Sequence, residues 1–460
     1  MKQYKTRMEL FSFHDYAGLA ANMEKLARKG WLLDKIGRMG WRYRRIEPQN
    51  LKFAVAYFPP ASTFDPEPSE SELRFRDYCE EAGWKLAASN AQIQVFYNEN
   101  PDAVPLETDA VLQVENIHAA AKKTTLLSHW ILGGLGLFQL IVWLVTFLEN
   151  PALILADYGG WFRFISFANL LVLSAVELIS YYTWHKKAVR LAEETGQLYP
   201  TQSHRIFQMV SLIIIVGALI LWVFLMQSRR MKVTLFLSLL NMTLLVAAVQ
   251  GCQELLKKLK VSKTKNKVIT LTVDFVLAFL LIGMLPNWII RMDLSDKTPV
   301  DTYVLYGRER HVYNDPLPVC VEDLLEVDPA GYSKELETKR TVLAAYYDAF
   351  QSGRRDWETD LPWLEYRLVI LEIPSWTEFC WNGWIENYET EMPFYRRLEK
   401  LDAASWKAEE AYRAFDRDGN EKEWLVRWKD RFVRLTADWE LTEEQMSILA
   451  ERFLNCEKHP

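Results

Sequence analysis

The chain has 460 residues, of which 25% are charged, and its formal net charge at pH 7 is −6. Its mean hydropathy of −0.11 is that of a soluble protein, yet the charged residues are concentrated before Lys123 and after Arg291. This partition argues against a single soluble globule and predicts two aqueous regions joined through a membrane region. The charged start from Lys2 to Arg7 precedes no apolar stretch, so we expect no cleavable secretory signal and a cytoplasmic N-terminal region.

The N-terminal region, residues 1–115, contains an internal repeat. The pair Gly30-Trp31 recurs as Gly83-Trp84, and the same spacing separates Tyr43 from Phe96. A glycine just past a helix adopts the left-handed conformation without a Cβ penalty, and the tryptophan after it can pack back on that helix. We therefore interpret the four Gly and Trp residues as structural. The alternative is a chance coincidence in a chain with 18 tryptophans.

Each Gly-Trp pair is predicted to follow a helix and to precede two short strands. The patterns predict helices at Asp15–Lys29 and Glu70–Ala82 and strands at Tyr4–Phe11, Trp41–Ile46, Leu51–Phe58 and Ile93–Tyr97. Two β-α-β-β units predict one antiparallel or mixed sheet with both helices on one face, a duplicated ferredoxin-like α+β domain. No acid, base or nucleophile clusters here, so ligand or partner binding is favoured over catalysis.

Five apolar stretches occupy residues 116–292, the predicted transmembrane region. They cover residues 124–148, 161–184, 206–226, 233–256 and 268–290. Each approaches the ~20 residues that a helix needs to cross ~30 Å of hydrocarbon. The sequence therefore predicts a multi-pass bundle of five transmembrane helices in the cell membrane.

Lysines and arginines near the span ends predict the orientation, because positive charge in short loops resists translocation. They are abundant before the first span, between spans two and three and between spans four and five, and the loop from Glu149 to Gly160 has none. This pattern predicts a cytoplasmic N-terminus and a C-terminal region on the outside. Arg229, Arg230 and Lys232 lie on the unexpected side, so a re-entrant hairpin of spans three and four is the alternative.

Polar residues inside the spans are candidate functional residues. Glu177 and Asp274 are each predicted to lie ~10 Å below the same membrane surface. A lone carboxylate in hydrocarbon is costly, so each is expected to face the bundle interior, protonated or paired with Asn169, Asn241 or Gln250. The functional interpretation is a proton or cation site or a polar latch between helices. The structural one is a pair of acids near the headgroups that reach water.

The C-terminal region, residues 293–460, is predicted to be an α/β or α+β domain. The patterns predict a strand at Leu364–Ile373, helices at Thr377–Tyr388 and Ala403–Phe415, and a hairpin of Trp424–Trp428 and Phe432–Ala437. Thr442 and Gln445 match a capping box at the start of a last helix.

Most motifs of chemical function are missing from the sequence. Cys320, Cys380 and Cys456 allow one disulfide if their domain lies outside, or are isolated apolar residues. The segment from Asp416 to Glu421 departs from a calcium loop at its glycine and its bidentate glutamate. The sequence also lacks a zinc-protease motif, a phosphate-binding loop and a nucleophile elbow. We therefore expect no catalytic, metal or cofactor site and no nucleic-acid binding.

Several segments carry a resemblance to a known family. They are Lys29–Leu32, Trp41–Tyr43, Tyr78–Trp84, Val95–Asn98, Leu317–Leu324 and Trp406–Tyr412. With these segments, and with membrane helices after the first quarter, the chain resembles the bacterial domain of unknown function 2812 family. The family has no established activity, so the resemblance implies no site residue. Its members are often found near PadR-type regulators, which implies an envelope or stress-response context.

These observations favour a non-enzymatic membrane protein that senses or transmits a signal through a cytoplasmic ligand- or partner-binding domain. Its expected partners are the lipid bilayer and a cytosolic protein, and a homo-oligomer is compatible with the sequence. The alternative is a transporter or transporter subunit that uses the intramembrane carboxylates. A membrane enzyme has the least support, because no catalytic constellation is visible.

Overall fold

The computed structural model describes residues 3–37, 40–201, 203–226, 228–291, 297–306, 308–355, 361–391, 396–416 and 423–456. Its α+β architecture has five long apolar helices between an N-terminal and a C-terminal region that contain β-sheets. The chain forms two compact units. One comprises Met1–Phe138, Ser166–Leu219 and Met231–Asp293, and the other Gln139–Ile165, Ile220–Arg230 and Leu294–Pro460. Each unit thus combines a terminal region with parts of the apolar helices, whereas the predicted domains follow the chain at 1–115, 116–292 and 293–460.

The N-terminal domain repeats one order of elements. Its first half contains β1 (Tyr4–Arg7), α1 (Tyr16–Ala27), β2 (Trp31–Ile36) and β3 (Trp41–Arg45), and its second half contains β4 (Lys52–Tyr57), α2 (Glu70–Glu81), β5 (Lys85–Asn90) and β6 (Ile93–Asn98). The predicted order of strand, helix, strand, strand is therefore present twice.

The strands of each half pair among themselves. The antiparallel sheets have the orders β1-β3-β2 and β4-β6-β5, so the hydrogen bonds form two three-stranded sheets where the sequence predicted a single ferredoxin-like one. Short β2–β3 and β5–β6 connections favour this local pairing. The edge strands β2 and β5 contact each other, and α1 contacts both β2 and β4. The two halves therefore share one packing unit.

Local chemistry explains where the two helices of this domain begin and end. The Asp15 carboxylate caps α1 by accepting from the Gly18 N–H at 3.1 Å, and Ser69 caps α2. After each helix the chain turns at a glycine with a left-handed backbone, with φ of 79° at Gly30 and 85° at Gly83. Side chains other than glycine rarely adopt this conformation, which explains both glycines.

The apolar helices follow α3 (Ala110–Lys123). They are α4 (Thr125–Glu149), α6 (Tyr158–Thr195), α7 (Arg205–Leu225), α8 (Arg229–Lys258) and α9 (Lys263–Arg291), with the short α5 (Pro151–Leu155) between the first two. All five predicted spans are helices long and apolar enough to cross a membrane. Large apolar side chains such as Phe224, Phe275 and Phe279 are more than three-quarters exposed, as expected for surfaces that face lipid. The chain is thus consistent with a multi-pass membrane protein.

Helices α4 and α6 approach closely at a glycine. A Cβ atom at Gly136 would lie 3.1 Å from the Phe167 carbonyl oxygen and 3.2 Å from the Leu171 nitrogen. Such close contact between backbones is a usual way for helices to pack in lipid, where burial of apolar side chains gives little advantage. Gly136 therefore fixes the separation of α4 and α6 in the N-terminal unit.

The C-terminal domain is built on one antiparallel sheet. Its elements are β7 (Asp301–Leu305), β8 (Arg308–Val312), β9 (Tyr332–Arg340), β10 (Ala344–Gly353), β11 (Leu364–Leu371), α10 (Thr377–Glu391), β12 (Arg396–Lys400), β13 (Glu410–Asp416), β14 (Glu423–Arg427), β15 (Arg431–Ala437) and α11 (Glu443–Asn455). Seven strands follow the order β12-β13-β14-β15-β11-β10-β9, and β7 pairs with β8. The domain is α+β rather than α/β.

Two hydrophobic clusters draw on alternate residues of this sheet. One contains Tyr366 of β11, Trp424 of β14 and Phe453 of α11. The other contains Phe432 of β15, Trp381 of α10 and Leu155 of α5. Because successive strand residues point to opposite faces, α11 and the pair α5–α10 cover different faces of the sheet. The loop after the first apolar helix is therefore part of the C-terminal core.

Several detailed predictions for this domain can be compared with the structure. The strand predicted over Leu364–Ile373 is present but ends at Leu371. The helix from Thr377, the β14–β15 hairpin and the Thr442 capping box are confirmed. The predicted helix over 403–415 is wrong, because a turn leads into β13. Residues 417–421 of the calcium-like segment lie outside the described residues. None of the five cysteines forms a disulfide within the described part of the chain, so the disulfide alternative is not supported.

Candidate functional site

The N-terminal domain is attached to the apolar helices through a shared hydrophobic core. One stripe of α6 is buried in the same cluster as the domain's own core residues Leu19, Met23 and Phe53. The stripe consists of Leu178, Tyr181, Trp184, Ala188 and Ala192, each at most 8% exposed. Its spacing of three and four residues is that of one helix face. We call this stripe the core attachment.

A polar group lies immediately beside the core attachment. The Glu177 carboxylate of α6 accepts hydrogen bonds from Ser12 Oγ at 3.1 Å and from Gln208 Nε2 of α7 at 2.6 Å. Ser12 and Glu177 are 1% and 5% exposed. An acid buried to this degree requires such donors, because its desolvation is otherwise costly. Glu177 therefore joins the two apolar helices α6 and α7 to the segment that precedes α1.

Two further acids of the N-terminal domain extend this polar group. Glu9 accepts from Tyr43 Oη and from Asn22 Nδ2, both at 3.0 Å, and lies 3.7 Å from Arg205 at the start of α7. The Asp15 carboxylate that caps α1 also accepts from Thr201 Oγ1 at 2.7 Å. The connection between α6 and α7 is thus bonded to the start of α1.

His14 lies between the polar group and the core attachment. It is 2% exposed, and its ring centre lies 5.2 Å from that of Trp184 and 5.7 Å from that of Tyr181. Burial lowers the pKa of His14 to about 4, against the opposing effects of Glu177 and Asp15. His14 is therefore neutral at pH 7 and packs as an aromatic residue.

A loop of the N-terminal domain makes a second attachment, to the connection between α8 and α9. The Thr63 carbonyl oxygen accepts from Gln253 Nε2 at 2.8 Å, and the Phe64 carbonyl oxygen accepts from Asn266 Nδ2 at 3.2 Å. Two ion pairs accompany these bonds, Lys263 with Asp65 at 3.4 Å and Lys260 with Glu67 at 2.7 Å. We call these contacts the loop attachment. Unlike the core attachment, it is polar. The side chains of its ion pairs are partly or largely exposed, whereas Gln253 and Asn266 are 3% and 0% exposed.

The other predicted polar residues have different surroundings. Asn169 of α6 bonds to Ser211 of α7, with Nδ2 2.9 Å from Ser211 Oγ. Asp274 and Asn241 are half-buried and make no hydrogen bond or ion pair with any residue that the structure describes. Glu177 and Asp274 are therefore not joined through a shared partner. The sequence predicted Asn169, Asn241 or Gln250 as the partner of Glu177, whereas its donors are Ser12 and Gln208.

The two Gly-Trp positions of the repeat also differ. Trp84 is 2% exposed and donates from Nε1 to the Val104 carbonyl at 3.2 Å. Trp31 is half-buried, with the Arg45 guanidinium 5.1 Å and the Lys5 amine 5.6 Å from its ring centre. The duplication therefore preserves the turn at Gly30 and Gly83 more closely than the surroundings of the tryptophans.

Sequence reasoning missed Ser12, His14 and Gln208. Nothing in their local sequence marks them, because their partners are distant in the chain. The stripe from Leu178 to Ala192 could have been predicted, because the helical spacing of its apolar residues continues beyond residue 184, where the predicted span ended. Across the described part of the chain, no group of three or more side chains could hold a metal ion.

Comparisons with known proteins identify one region. Residues 15–129, about a quarter of the chain, match the model of a family described as protein of unknown function (DUF2812). No curated protein and no solved structure matches the chain. The matched region ends close to the start of α4, so the resemblance of the C-terminal segments stays a prediction.

Proposed function

Residues 15–129 belong to the DUF2812 family, and from this premise we propose that the chain is a non-enzymatic multi-pass membrane protein that transmits a signal between its membrane helices and its N-terminal domain. The family description names no activity, so the proposal rests on the geometry of the attachments. Its single most important support is that α6 contributes five buried residues to the core of the N-terminal domain.

The geometry of α6 explains how a movement would be transmitted. Asn169 bonds to α7 within the apolar part of α6, Glu177 lies two turns further along, and Trp184 is packed in the domain core. At ~1.5 Å per residue, these positions span about 20 Å of one continuous helix. Packed interfaces tend to switch between discrete arrangements rather than deform gradually. A shift of α6 against α7 would therefore change the bonds of Glu177 and the position of α1.

The C-terminal domain is the proposed origin of the signal. In its own unit, α5 packs into the core beneath the sheet, and Thr341 Oγ1 donates to the Leu155 carbonyl at 2.6 Å. Only two residues separate α5 from the start of α6. A ligand or an envelope change that alters this domain would therefore act directly on the first turn of α6.

The contacts of each unit also support the proposed topology, with the N-terminus in the cytoplasm and the C-terminal domain outside. The N-terminal domain contacts the connections after α6 and after α8, whereas the C-terminal domain contacts the connection after α4. This alternation is what five spans produce. Reporter fusions after Lys123 and after Pro460 test it, and equal cytoplasmic activity of both fusions would contradict it.

The cytosolic partner requires a test with the full chain. A fragment of residues 1–115 would lack most of α3 and all of the core attachment, so it would expose a truncated core. On the full protein, α2 presents Leu73 and Tyr78, which are 46% and 75% exposed. We propose that this helix contacts the partner. Proximity labelling by the full chain should identify a protein whose labelling is lost in Tyr78→Ser and kept in Tyr4→Ser, a control with another exposed tyrosine.

The central experiment perturbs the membrane part and measures the N-terminal domain. Replacement of Asn169 by Val breaks the bond to Ser211 without touching the domain. In lipid nanodiscs, we expect faster amide hydrogen exchange in residues 9–15 and in α1, because the bonds of Glu177 are weakened through α6. In a protein that already carries Glu177→Leu, the additional substitution Asn169→Val should not change the exchange rates of these amides further.

Thr146→Val is the matched control, since it removes an exposed hydroxyl that bonds only to its own helix, at the Val142 carbonyl. It should leave exchange in α1 unchanged. Unchanged exchange in the Asn169→Val protein as well would show that α6 does not transmit the perturbation, and the proposed function would be abandoned.

One observation favours the alternative, a transporter or transporter subunit. Asp274 of α9 is half-buried in an apolar helix and has no partner among the residues described. Such acids often mark ion or proton pathways. Proton-coupled flux that is lost in both Glu177→Gln and Asp274→Asn would support transport, whereas unchanged flux with altered exchange in α1 would support signal transmission.

A further inference from the structure

The N-terminal domain contains a cavity that the attachments do not use. It has a volume of about 300 Å³ and lies between α1, β4 and the segment that leads into α3. Small side chains of α1 make room for it, and Val55 and Trp84 form apolar parts of the wall. Ala17 and Ala21 line the cavity and are exposed, so it opens to solvent beside α1. A volume near 300 Å³ is at the lower end of the range for small-molecule sites.

Glu107 provides a polar group without a partner at this cavity. It lines the cavity, and its Oε2 atom is inaccessible to solvent and makes no hydrogen bond with any described residue. Buried polar atoms nearly always have a partner, so an unpartnered carboxylate oxygen at a cavity indicates a missing donor. Because Glu107 lines the cavity, its carboxylate is the group that a donor of a ligand would engage.

The other charged residues of the wall are already engaged. Lys52 donates from Nζ to the Ala103 carbonyl at 2.6 Å, and Glu24 accepts from the Phe53 N–H at 3.5 Å. The wall therefore contains two carboxylates and one ammonium group, which gives it a formal excess of negative charge. An incoming cation is favoured over an anion.

The titratable groups around Glu107 do not neutralise it. The charge of Glu107 acts on three neighbouring groups, which are Tyr16 of α1, Tyr57 of β4 and Cys79 of α2. Burial is the main reason that their pKa values are raised, to about 12 for Tyr16 and about 11 for Cys79. All three stay neutral at pH 7. Burial raises the pKa of Glu107 itself to about 7. Its carboxylate form thus has no positively charged partner among the residues that the structure describes.

We propose that this cavity binds a small organic amine, whose ammonium group pairs with Glu107 and whose apolar body packs between α1 and β4. An ammonium group supplies the missing donor and the missing charge together, and the alanines of α1 leave space for a hydrocarbon or aromatic body. The proposal deepens the proposed function, since it names a ligand class for the N-terminal domain. Binding of the amine does not depend on signal transmission between the N-terminal domain and the apolar helices.

The test uses the purified full chain and 2-phenylethylamine as the probe. The amine should bind with a Kd of about 1 mM or tighter, as a ligand of its size allows, in isothermal titration calorimetry. The neutral analogue 2-phenylethanol and the anion phenylacetate should bind at least about tenfold more weakly, because neither pairs with a carboxylate. Equal binding of the alcohol and the amine would overturn the proposal.

Two variants assign any binding to this cavity. Glu107→Gln should weaken amine binding at least about tenfold, while Glu115→Gln, at an exposed position of α3, should leave it unchanged. Ala21→Phe should block the cavity mouth without changing the charge of the wall. Retained amine affinity in both Glu107→Gln and Ala21→Phe, or no binding at about 10 mM amine, would refute the site.

The pH dependence gives a further check. Because Glu107 must be ionised to pair with the ammonium group, the affinity should rise about tenfold per pH unit below pH 7 and level off above it. The Glu107→Gln protein should lack this rise. These measurements involve neither Asn169 nor a cytosolic partner, so failure of the signalling proposal would leave the binding result intact, and failure to bind would leave signal transmission untouched.

Discussion

The two attachments of the N-terminal domain differ in chemistry. The core attachment buries five side chains of α6, including the aromatic residues Tyr181 and Trp184. The loop attachment relies on two hydrogen bonds to backbone carbonyls and on ion pairs between side chains that are mostly exposed. Burial of a large aromatic residue stabilises by a few kcal/mol, whereas an exposed ion pair contributes ~0–1 kcal/mol.

This difference indicates a division of roles. The core attachment holds α6 and the domain together as one body, so it suits the transmission of a movement. The loop attachment rests on the hydrogen bonds of the buried Gln253 and Asn266 and on weaker ion pairs, so we expect only its ion pairs to open at low cost while α6 stays packed. The four predictions below test this contrast through the hydrogen exchange of the α1 amides.

The largest effect is expected from Trp184→Ala. Trp184 is 5% exposed, so its removal leaves a cavity in the shared core. The free energy of opening of the domain, measured by amide hydrogen exchange, should fall by about 3–5 kcal/mol. Ile179→Ala is the matched control on the same helix, since Ile179 is 67% exposed and should change stability little. Equal effects of the two substitutions would mean that the buried face of α6 does not stabilise the N-terminal domain.

His14 predicts how the core attachment responds to acid. Its pKa is about 4 in the fold against 6.5 in the unfolded chain, so the folded state binds fewer protons between these values. Stability should therefore be complete above pH 6.5 and fall by up to about 3 kcal/mol as the pH is lowered to 4. The titratable groups that face His14 are Glu177, Asp15 and His204, and the lowered pKa of His14 already includes their influence.

His14→Phe serves as the control for this pH effect. A phenyl ring keeps the aromatic contacts of the site but cannot be protonated. Exchange of the α1 amides in this variant should vary less between pH 7 and pH 4 than in the parent protein. An identical pH profile would show that His14 is not the group responsible.

Glu177→Ala should have an intermediate effect. It leaves the buried donors of Ser12 and Gln208 without an acceptor, which costs about 1–3 kcal/mol. Glu177→Gln keeps an acceptor and should cost less, and Glu193→Gln, at an exposed position of α6, should be neutral. If Glu177→Gln proved as costly as Glu177→Ala, the negative charge rather than the hydrogen bonds would be the important property.

Lys263→Ala should have the smallest effect. Lys263 is 49% exposed in its ion pair with Asp65, and it also donates to the Pro60 carbonyl at 3.0 Å. Its loss should cost less than about 1 kcal/mol and should be reduced further by salt. A cost near that of Trp184→Ala would reverse the assigned roles of the two attachments.

Much of the local structure could be predicted from the sequence. The apolar stretches, the turns at Gly30 and Gly83 and the capping box at Thr442 depend on residues that are neighbours in the chain, and short-range chemistry determines them. The helix predicted over 403–415 failed because a short apolar pattern fits either a helix or a strand, and pairing of β13 with β14 decides between them.

Hydropathy by itself located the five apolar helices, because a membrane-spanning helix requires a run of apolar residues that are consecutive in the sequence. Only the tertiary structure decided that Glu177 bonds to Ser12 and Gln208 and that α6 contributes a buried stripe to the core of the N-terminal domain. The two donors lie 165 and 31 residues away along the chain. Such partners are selected by packing across the whole unit, because a buried carboxylate needs donors at a fixed place in space and not at a fixed spacing in sequence.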